Sequence, residues 1–409
     1  MQYFMKNFIV LSILHLMAIG DVCKLRLENI APGGDALGRF EGKPVFVEGG
    51  APDEIVFCRI VQEHNTWARA ETLEIIEPSP VRVPPVCAFY GKCGGCNLQH
   101  IDYQSQLAAK TAILKDSFTR IGGLQPPEIE IFSSPQWEYR NRMQFHCLRQ
   151  KAKGADSRKY ALMGRKSGEL IDINDCPVAV AGIRELLKAP KGKNGENKLP
   201  LPVEKDRFTV FSKDDVLLSE GGRQKGKITL QGKEIFFDAS LFFQSNCSML
   251  DKLITELREI ALDADRNKPM ADLYCGVGTF SFYLKESFPK IVLAEENKAA
   301  VSLARENLRG VEAEFFAVRD TNWQNDLLRR KDTFGFAVVD PPRAGLAPKT
   351  AAALAQEGPP LLAYVSCDAA SIARHSKIST NGGYQIKKLA FFDFYPQTAH
   401  IESLAVFER

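Results

Sequence analysis

The sequence predicts an α/β protein: a doubly wound parallel-sheet domain from about residue 236, preceded by a small β-barrel and a mixed, β-rich centre. Three observations predict it. Beyond 236, apolar strand-like runs alternate with helical stretches: "MADLYCGVG", "KIVLAEEN", "GFAVVDPPRAG" and "LLAYVSCD", the rhythm of βαβ units. From Lys24 to Ile76, the β-branched runs "KPVFVEGG", "EIVFCRIV" and "WARAETLEII" lie too close together for helices between them, which suits an all-β barrel of about 60 residues. The chain has 409 residues, more than one ordinary core accommodates, and the Pro-rich "EPSPVRVPP" (77–85) separates the barrel from the rest of the chain. The expected divisions are an N-terminal extension at 1–21, the barrel at 22–80, a cysteine loop and helix at 81–125, a central region at 126–235 and the C-terminal domain at 236–409. No internal repeat is present.

Each part has its own signals. Asp102 caps a helix in which Leu107, Leu114, Phe118 and Ile121 share a face, and Gly122–Gly123 close it. The Gly/Lys/Asn-rich stretch 191–198 reads as a surface loop. The opening "MQYFMKNFIVLSILHLMAIG" sets one lysine before an apolar run, with Ala18 and Gly20 able to mimic a cleavage site. The run is short for a spanning helix. Translation from Met17, with a mis-assigned start upstream, fits the intracellular character of the rest.

A composition of 45% hydrophobic and 25% charged residues is that of a soluble globular chain. A net charge of +3 decides nothing about nucleic acid, but its distribution does. Residues 21–77 hold six Lys/Arg against eleven Asp/Glu, and residues 137–166 hold nine against two. The second block is either a solvated face or a phosphate-binding surface. Ten cysteines in so long a chain are no secreted disulfide framework; clustered cysteines in an intracellular protein bind metal or do chemistry.

"DLYCGVGTF" places a carboxylate and two glycines between a strand and a helix. Gly276 and Gly278 would let a ligand approach the backbone. "IVLAE" ends in Glu295, nineteen residues beyond Gly276, where such folds read ribose hydroxyls. The plainer alternative is a tight turn with no ligand. No third glycine completes a dinucleotide fingerprint, so S-adenosylmethionine fits better than NAD.

"YVSCDAAS" puts Cys367 at the carboxyl end of a strand, where open α/β sheets place ligands. Amides of a following helix would favour its thiolate; the alternative is a buried, inert thiol. In "AHIESLAVFER", Glu402 lies in an apolar strand, and its alternative is a solvent-facing carboxylate. Together the two suit one reaction. Uracil C5 is too weak a nucleophile to attack a sulfonium methyl unaided. A thiolate adding to C6 makes C5 enolate-like, and a base then removes the C5 proton so that the thiolate can leave.

At these residues the chain resembles the RNA uracil-5 methyltransferase family, over roughly residues 22–409 and with the motifs in the expected order. The resemblance implies a class I methyltransferase domain behind an N-terminal TRAM domain, an RNA substrate, cytoplasmic location, action as a monomer and no membrane association. By it, Cys367 would be the nucleophile and Glu402 the general base. Gln244 in "LFFQSN", Tyr274, Glu295 and Asp340 in "DPPR" would bind S-adenosylmethionine with the loop residues Gly276 and Thr279. Thr279 stands where members often have Asn, and "CDAAS" replaces the more usual "CNPAT". The barrel is acidic where an RNA-binding module is expected to be basic, so the block from Arg140 to Lys166 is the better RNA surface. Trp137, Tyr139 and Phe145 beside it either stack on bases or belong to the core. The barrel favours ribosomal over transfer RNA.

"CAFYGKCGGCNLQH" (87–100) spaces Cys87, Cys93 and Cys96 as C-x5-C-x2-C. Zinc sites use two CxxC-like pairs or end in histidines; His100 is near, but no second pair exists. Iron–sulfur clusters take four thiolates, and "DINDCPV" supplies a fourth at Cys176, as the resemblance also suggests. The expectation is a [4Fe–4S] cluster of structural or RNA-orienting role, with zinc as the alternative. Cys23, Cys58, Cys147, Cys247 and Cys275 read as small apolar packing residues. Other enzyme classes fit less well. A radical methylthiotransferase wants C-x3-C-x2-C, and a cytosine-C5 methyltransferase sets its cysteine after proline. A catalytically dead RNA-binding protein would have no need of Cys367, Glu402 and Asp340 together.

Overall fold

The computed structural model describes residues 17–152, 155–165, 167–188, 206–220, 222–323 and 334–409, without the side chains of 149–152 and 155–158. The apolar run 1–16 and the loop 191–198 lie outside the described residues. The chain divides into two compact units, Met1–Arg82 and Val83–Arg409.

In the first unit, β1 (Val22–Ile30), β2 (Ala36–Phe40), β3 (Lys43–Glu48), β4 (Ile55–Glu63) and β5 (Ala68–Glu77) close into a barrel in the order β1-β2-β3-β5-β4. Strand alternation fills it: Cys23, Leu25 and Leu27 of β1 point inward while their neighbours face solvent. Cys23 and Cys58 pair across β1 and β4 with sulfurs 3.5 Å apart. Glu54 is buried, accepts from the Ala51 amide at 2.8 Å and binds Arg82, which ties the start of the Pro-rich segment back to the barrel.

The second unit opens with the cysteine loop and α1 (Tyr103–Ser117). Asp102 caps α1 by accepting from Ser105 N, and the helix runs into a wider turn that Gly123 ends at φ +64. Leu107, Leu114 and Phe118 are buried, whereas Ile121 is exposed, because that wider turn rotates it off the helix face. Next come β6 (Ile129–Phe132), β7 (Arg142–Ala152), β8 (Ala155–Met163), β9 (Leu170–Asp172), α2 (Ala181–Lys188), β10 (Arg207–Lys213) and β11 (Val216–Ser219). Strands β7 to β11, without β6, form an antiparallel sheet in the order β11-β10-β7-β8-β9. Tyr139 and Phe145 are core residues of this region, not stacking platforms, since their rings are shielded from solvent. A hairpin of β12 (Lys225–Leu230) and β13 (Lys233–Asp238) leads to α3 (Cys247–Ile260).

The remaining elements are β14 (Met270–Leu273), α4 (Thr279–Leu284), β15 (Ile291–Glu295), α5 (Lys298–Asn307), β16 (Ala313–Ala317), β17 (Phe336–Val339), α6 (Pro348–Glu357), β18 (Leu361–Ser366), α7 (Ala369–Asn381), β19 (Gln385–Phe392) and β20 (Glu402–Glu408). They build an eight-stranded sheet ordered β16-β15-β14-β17-β18-β20-β19-β6, in which β14 to β18 are mutually parallel and β20 is antiparallel to both neighbours. β14, β17 and β18 are buried along their whole length, as a sheet covered by helices on both faces requires. Strand order reverses between β14 and β17, so the carboxyl ends open a crevice there. β6, from the region that sequence patterning assigns to the centre, pairs parallel with β19, and Phe132 stacks on Phe392 at 4.3 Å. Four residues are too short a run to reveal such a partner in advance.

Candidate active site

Every loop at the carboxyl ends of β14, β15, β17 and β18 reaches one cavity of about 670 Å³, the size of a pocket for a nucleoside-like ligand. The turn after β14 is shaped for close approach. Gly276 and Gly278 sit at φ +53 and +78, and Tyr274, not a glycine, is held at +64, a conformation that costs energy unless its surroundings impose it. Hydrogen bonds at its hydroxyl and beneath the loop brace the turn. The Tyr274 hydroxyl donates to Asp320 Oδ2 at 2.6 Å, and Asp272, buried below the loop, accepts from the Ser281 amide and hydroxyl at 3.1 and 2.6 Å. Burial lifts the Asp272 carboxyl to about 6, with Glu295 adding to the rise. Glu295 Oε2 accepts from Gly276 N at 3.3 Å, and Thr279 begins α4 on the cavity wall. Gln244 Nε2 donates to Asp340 Oδ2 at 3.4 Å. All six residues expected at a cofactor thus line the same cavity.

Cys367 and Glu402 line it too. Their meeting is a matter of register. β18 and β20 pair antiparallel as far as Ser366 with Ser403, and one step further sets Cys367 beside Glu402. Glu402 is 3% exposed, so it is no solvent-facing strand carboxylate. Burial drives its carboxyl well above the ordinary range, Asp340 adds to this, and Arg343 opposes it.

The thiol corrects one expectation. Helix α7 does start just after Cys367, yet it does not favour a thiolate. Asp368 caps that helix, accepting from Ser371 N at 2.6 Å. Burial, then Glu402 and Asp340, push the Cys367 thiol up to about 12, with Arg343 opposing.

Several cavity residues carry no motif of their own in the sequence. Asp320 has the signal used for Glu295, a carboxylate just beyond a strand's carboxyl end. Arg343 and His400 lie inside quoted motifs, and Arg343 Nη2 donates to His400 Nδ1 at 3.3 Å. Arg140 and Arg142, the start of the basic block, line this cavity and are half-buried. The side chains at 149–158 and residue 166 of that block lie outside the described residues.

The four thiols lie in one neighbourhood, each half-buried. Burial lifts Cys96 to about 11 and Cys176 to about 12; Cys93 and Cys87 raise Cys96 further, Cys96 and Cys87 raise Cys176, and the nearby Arg140 lowers both. Among the described residues, no three His, Cys, Asp or Glu side chains stand together as a group that could hold a metal ion. The remaining cysteines, Cys23, Cys58, Cys147, Cys247 and Cys275, are buried.

The lifted carboxyls have a consequence for stability. Asp340, raised by burial and by Asp272, titrates near 7 in the fold and near the ordinary value of about 3.9 in the unfolded chain. Between those values the folded state keeps a proton that the unfolded state has lost. The contribution is therefore complete below about pH 4 and lost as pH rises through about 7. Asp340→Asn should flatten the fall in Tm of the ligand-free protein across this window and raise Tm at neutral pH by roughly 4 °C. Scanning calorimetry at stepped pH checks this; an unchanged slope counts against it.

A sheet in this order, with a glycine turn after its first central strand and acids after the next, is the class I methyltransferase fold. A solved structure, the Pyrococcus abyssi tRNA (uracil-54, C5)-methyltransferase in complex with S-adenosyl-L-homocysteine, shares it with a TM-score of 0.70 at 23% identity, covering 94% of this chain and 100% of that one. Residues 214–409 match the tRNA (Uracil-5-)-methyltransferase family, and residues 18–73 match the TRAM domain. An uncharacterized RNA methyltransferase of Treponema denticola is 32% identical, covering 90% of this chain and 94% of its own length. The 23S rRNA (uracil(1939)-C(5))-methyltransferase RlmD of Aeromonas hydrophila is 28% identical, covering 91% and 93%. The chain belongs to the RNA uracil-5 methyltransferase family and carries a TRAM domain at its N-terminus.

Proposed function

We propose that this chain methylates C5 of one uridine in ribosomal RNA, with S-adenosylmethionine as donor, through transient addition of Cys367 to C6. The observation that carries the reading is the approach of Cys367 and Glu402 across β18 and β20, in the cavity lined by the cofactor loop. S-adenosylmethionine would supply an electrophilic methyl on a cationic sulfur, a charge suited to a cavity rich in carboxyls. Glu295 suits its ribose hydroxyls, and Gln244, Tyr274, Gly276, Thr279 and Asp340 complete the walls.

The chain's own steps derive from its groups. The Cys367 thiol gives its proton to solvent, the thiolate bonds to C6, and the C5–C6 π pair moves toward C5 and O4. C5 then takes the methyl. Glu402 accepts the C5 proton, the C–H pair re-forms the C5–C6 double bond, and the sulfur–C6 bond breaks to return the thiolate. A carboxyl lifted by burial is a stronger base than an exposed one, which suits Glu402 to that transfer. The uracil must be unpaired or flipped out to expose C6. No helix among the described residues is long and apolar enough to cross a membrane.

Ribosomal RNA is favoured by the 23S rRNA enzymes that align over most of this chain. For the thiols, we read a [4Fe–4S] cluster held by Cys87, Cys93, Cys96 and Cys176. The thiols influence one another's titration, which supports their nearness, and four thiolates are the usual ligand set of such a cluster. Arg140 beside them would offset their negative charge.

Nucleoside mapping of RNA from cells lacking the protein tests the reading. The expected result is the loss of 5-methyluridine at one ribosomal RNA position and its return when the gene is restored. Loss from transfer RNA instead would reassign the substrate, and unchanged 5-methyluridine would refute the activity.

A further inference from the structure

Residues 393–400, between β19 and β20, lead directly to Glu402, and the cysteine loop and α1 grip them. The amides of Asn97 and Leu98 both donate to the Gln397 carbonyl, at 3.1 and 3.0 Å. Asn97 Oδ1 accepts from the Ala399 amide at 2.9 Å. Gln106, on α1 and 1% exposed, accepts from the Gln397 amide at 2.9 Å and donates from Nε2 to Gln397 Oε1 at 3.0 Å. One turn along α1, the buried Lys110 donates to Asp393 Oδ1 at 2.7 Å and to the Tyr395 carbonyl at 3.0 Å. The Tyr139 hydroxyl donates to the Pro396 carbonyl at 2.9 Å.

Within this grip, Gln397 is buried and held at φ +68. A glutamine in the left-handed region costs of order 1–3 kcal/mol and persists only where the surroundings over-determine it. Reciprocal side-chain and backbone bonds of this density on a connecting segment fix its shape; it presents Tyr395 and His400 to the cavity and feeds into β20 at Glu402, which lines the cavity too.

We propose that Asn97, Gln106 and Gln397 are positioning residues that set where Glu402 stands relative to Cys367. The inference rests on the reading of Glu402 as the base. Misplacement by about 1 Å can cost on the order of a hundredfold in rate, and the three residues act on that placement without touching substrate. The same loop carries Cys93 and Cys96, so whatever orders those thiols also orders the clamp.

The test uses the full chain, ribosomal RNA from cells lacking the protein and S-adenosylmethionine, with kcat, KM and the fraction of protein held as a denaturant-stable RNA adduct as readouts. Asn97→Ala should lower kcat about tenfold, leave KM within about twofold, and raise the adduct fraction, because release waits on the base. Asn97→Asp, which keeps the acceptor for Ala399, should recover most of the loss. Gln106→Ala should act in the same direction and more strongly; should it not fold, the half-buried Asn97 decides. Unaltered kcat and adduct in Asn97→Ala, while Glu402→Gln accumulates adduct, would overturn the clamp alone. Absence of adduct in Glu402→Gln would overturn the base assignment, and this inference with it.

Discussion

Cys367→Ala should bind S-adenosylmethionine as tightly as the natural chain and yet lose methyl transfer by at least about four orders of magnitude. The side chain is half-buried at the end of β18, just outside α7, and its removal leaves no cap or strand pairing broken. The cofactor walls at Gln244, Tyr274 and Glu295 are untouched. What is lost is the addition to C6, without which C5 has no electron density to offer a sulfonium methyl. Equilibrium binding of the cofactor, set beside methyl incorporation, separates the two effects. A transcript carrying 5-fluorouridine gives a second readout, since fluorine at C5 blocks the final proton removal and should leave the natural chain linked to RNA through Cys367. Normal turnover in the alanine variant would refute the covalent route.

Glu402→Gln should carry the second-largest effect. The amide keeps the size of the carboxyl but accepts no proton at neutral pH. Addition and methyl transfer still proceed, whereas release does not. The variant should therefore turn over about a thousandfold more slowly and accumulate a methylated protein–RNA adduct visible on a denaturing gel. Removing this carboxyl also removes one of the charges that push the Cys367 thiol up. The thiol should titrate lower in the variant, seen as faster alkylation at a given pH. Slow turnover with no adduct would mean that Glu402 acts before the methyl is transferred.

Much of this site is legible in sequence because motif residues at strand ends converge in any doubly wound sheet. Gly276, Glu295, Asp340 and Cys367 all stand at or just beyond the carboxyl ends of parallel strands, so the topology that alternation predicts also predicts their meeting. Glu402 is different. It begins an antiparallel strand, and only the pairing of β20 with β18 brings it to the sulfur. Family resemblance, not periodicity, points to it in the sequence. The state of the thiol escapes sequence reading because what raises it, burial first and then Glu402 and Asp340, gathers around the sulfur only in the folded cavity. The grip of Asn97 and Gln106 on Gln397 is not legible at all, because it joins residues almost three hundred positions apart through backbone amides that carry no sequence signature.

The outermost position of β6 bears on how the nascent polypeptide matures. Ribosomes deliver this strand first and its neighbour β19 only near the end of synthesis, an interval on the order of ten seconds or more. Throughout that time Ile129 and Phe132, half-buried in the finished sheet, emerge without the strand they pair with. The C-terminal half therefore cannot complete its architecture from its own translation alone, and an excised fragment starting at the family boundary would leave β19 with an open edge, a template for aggregation.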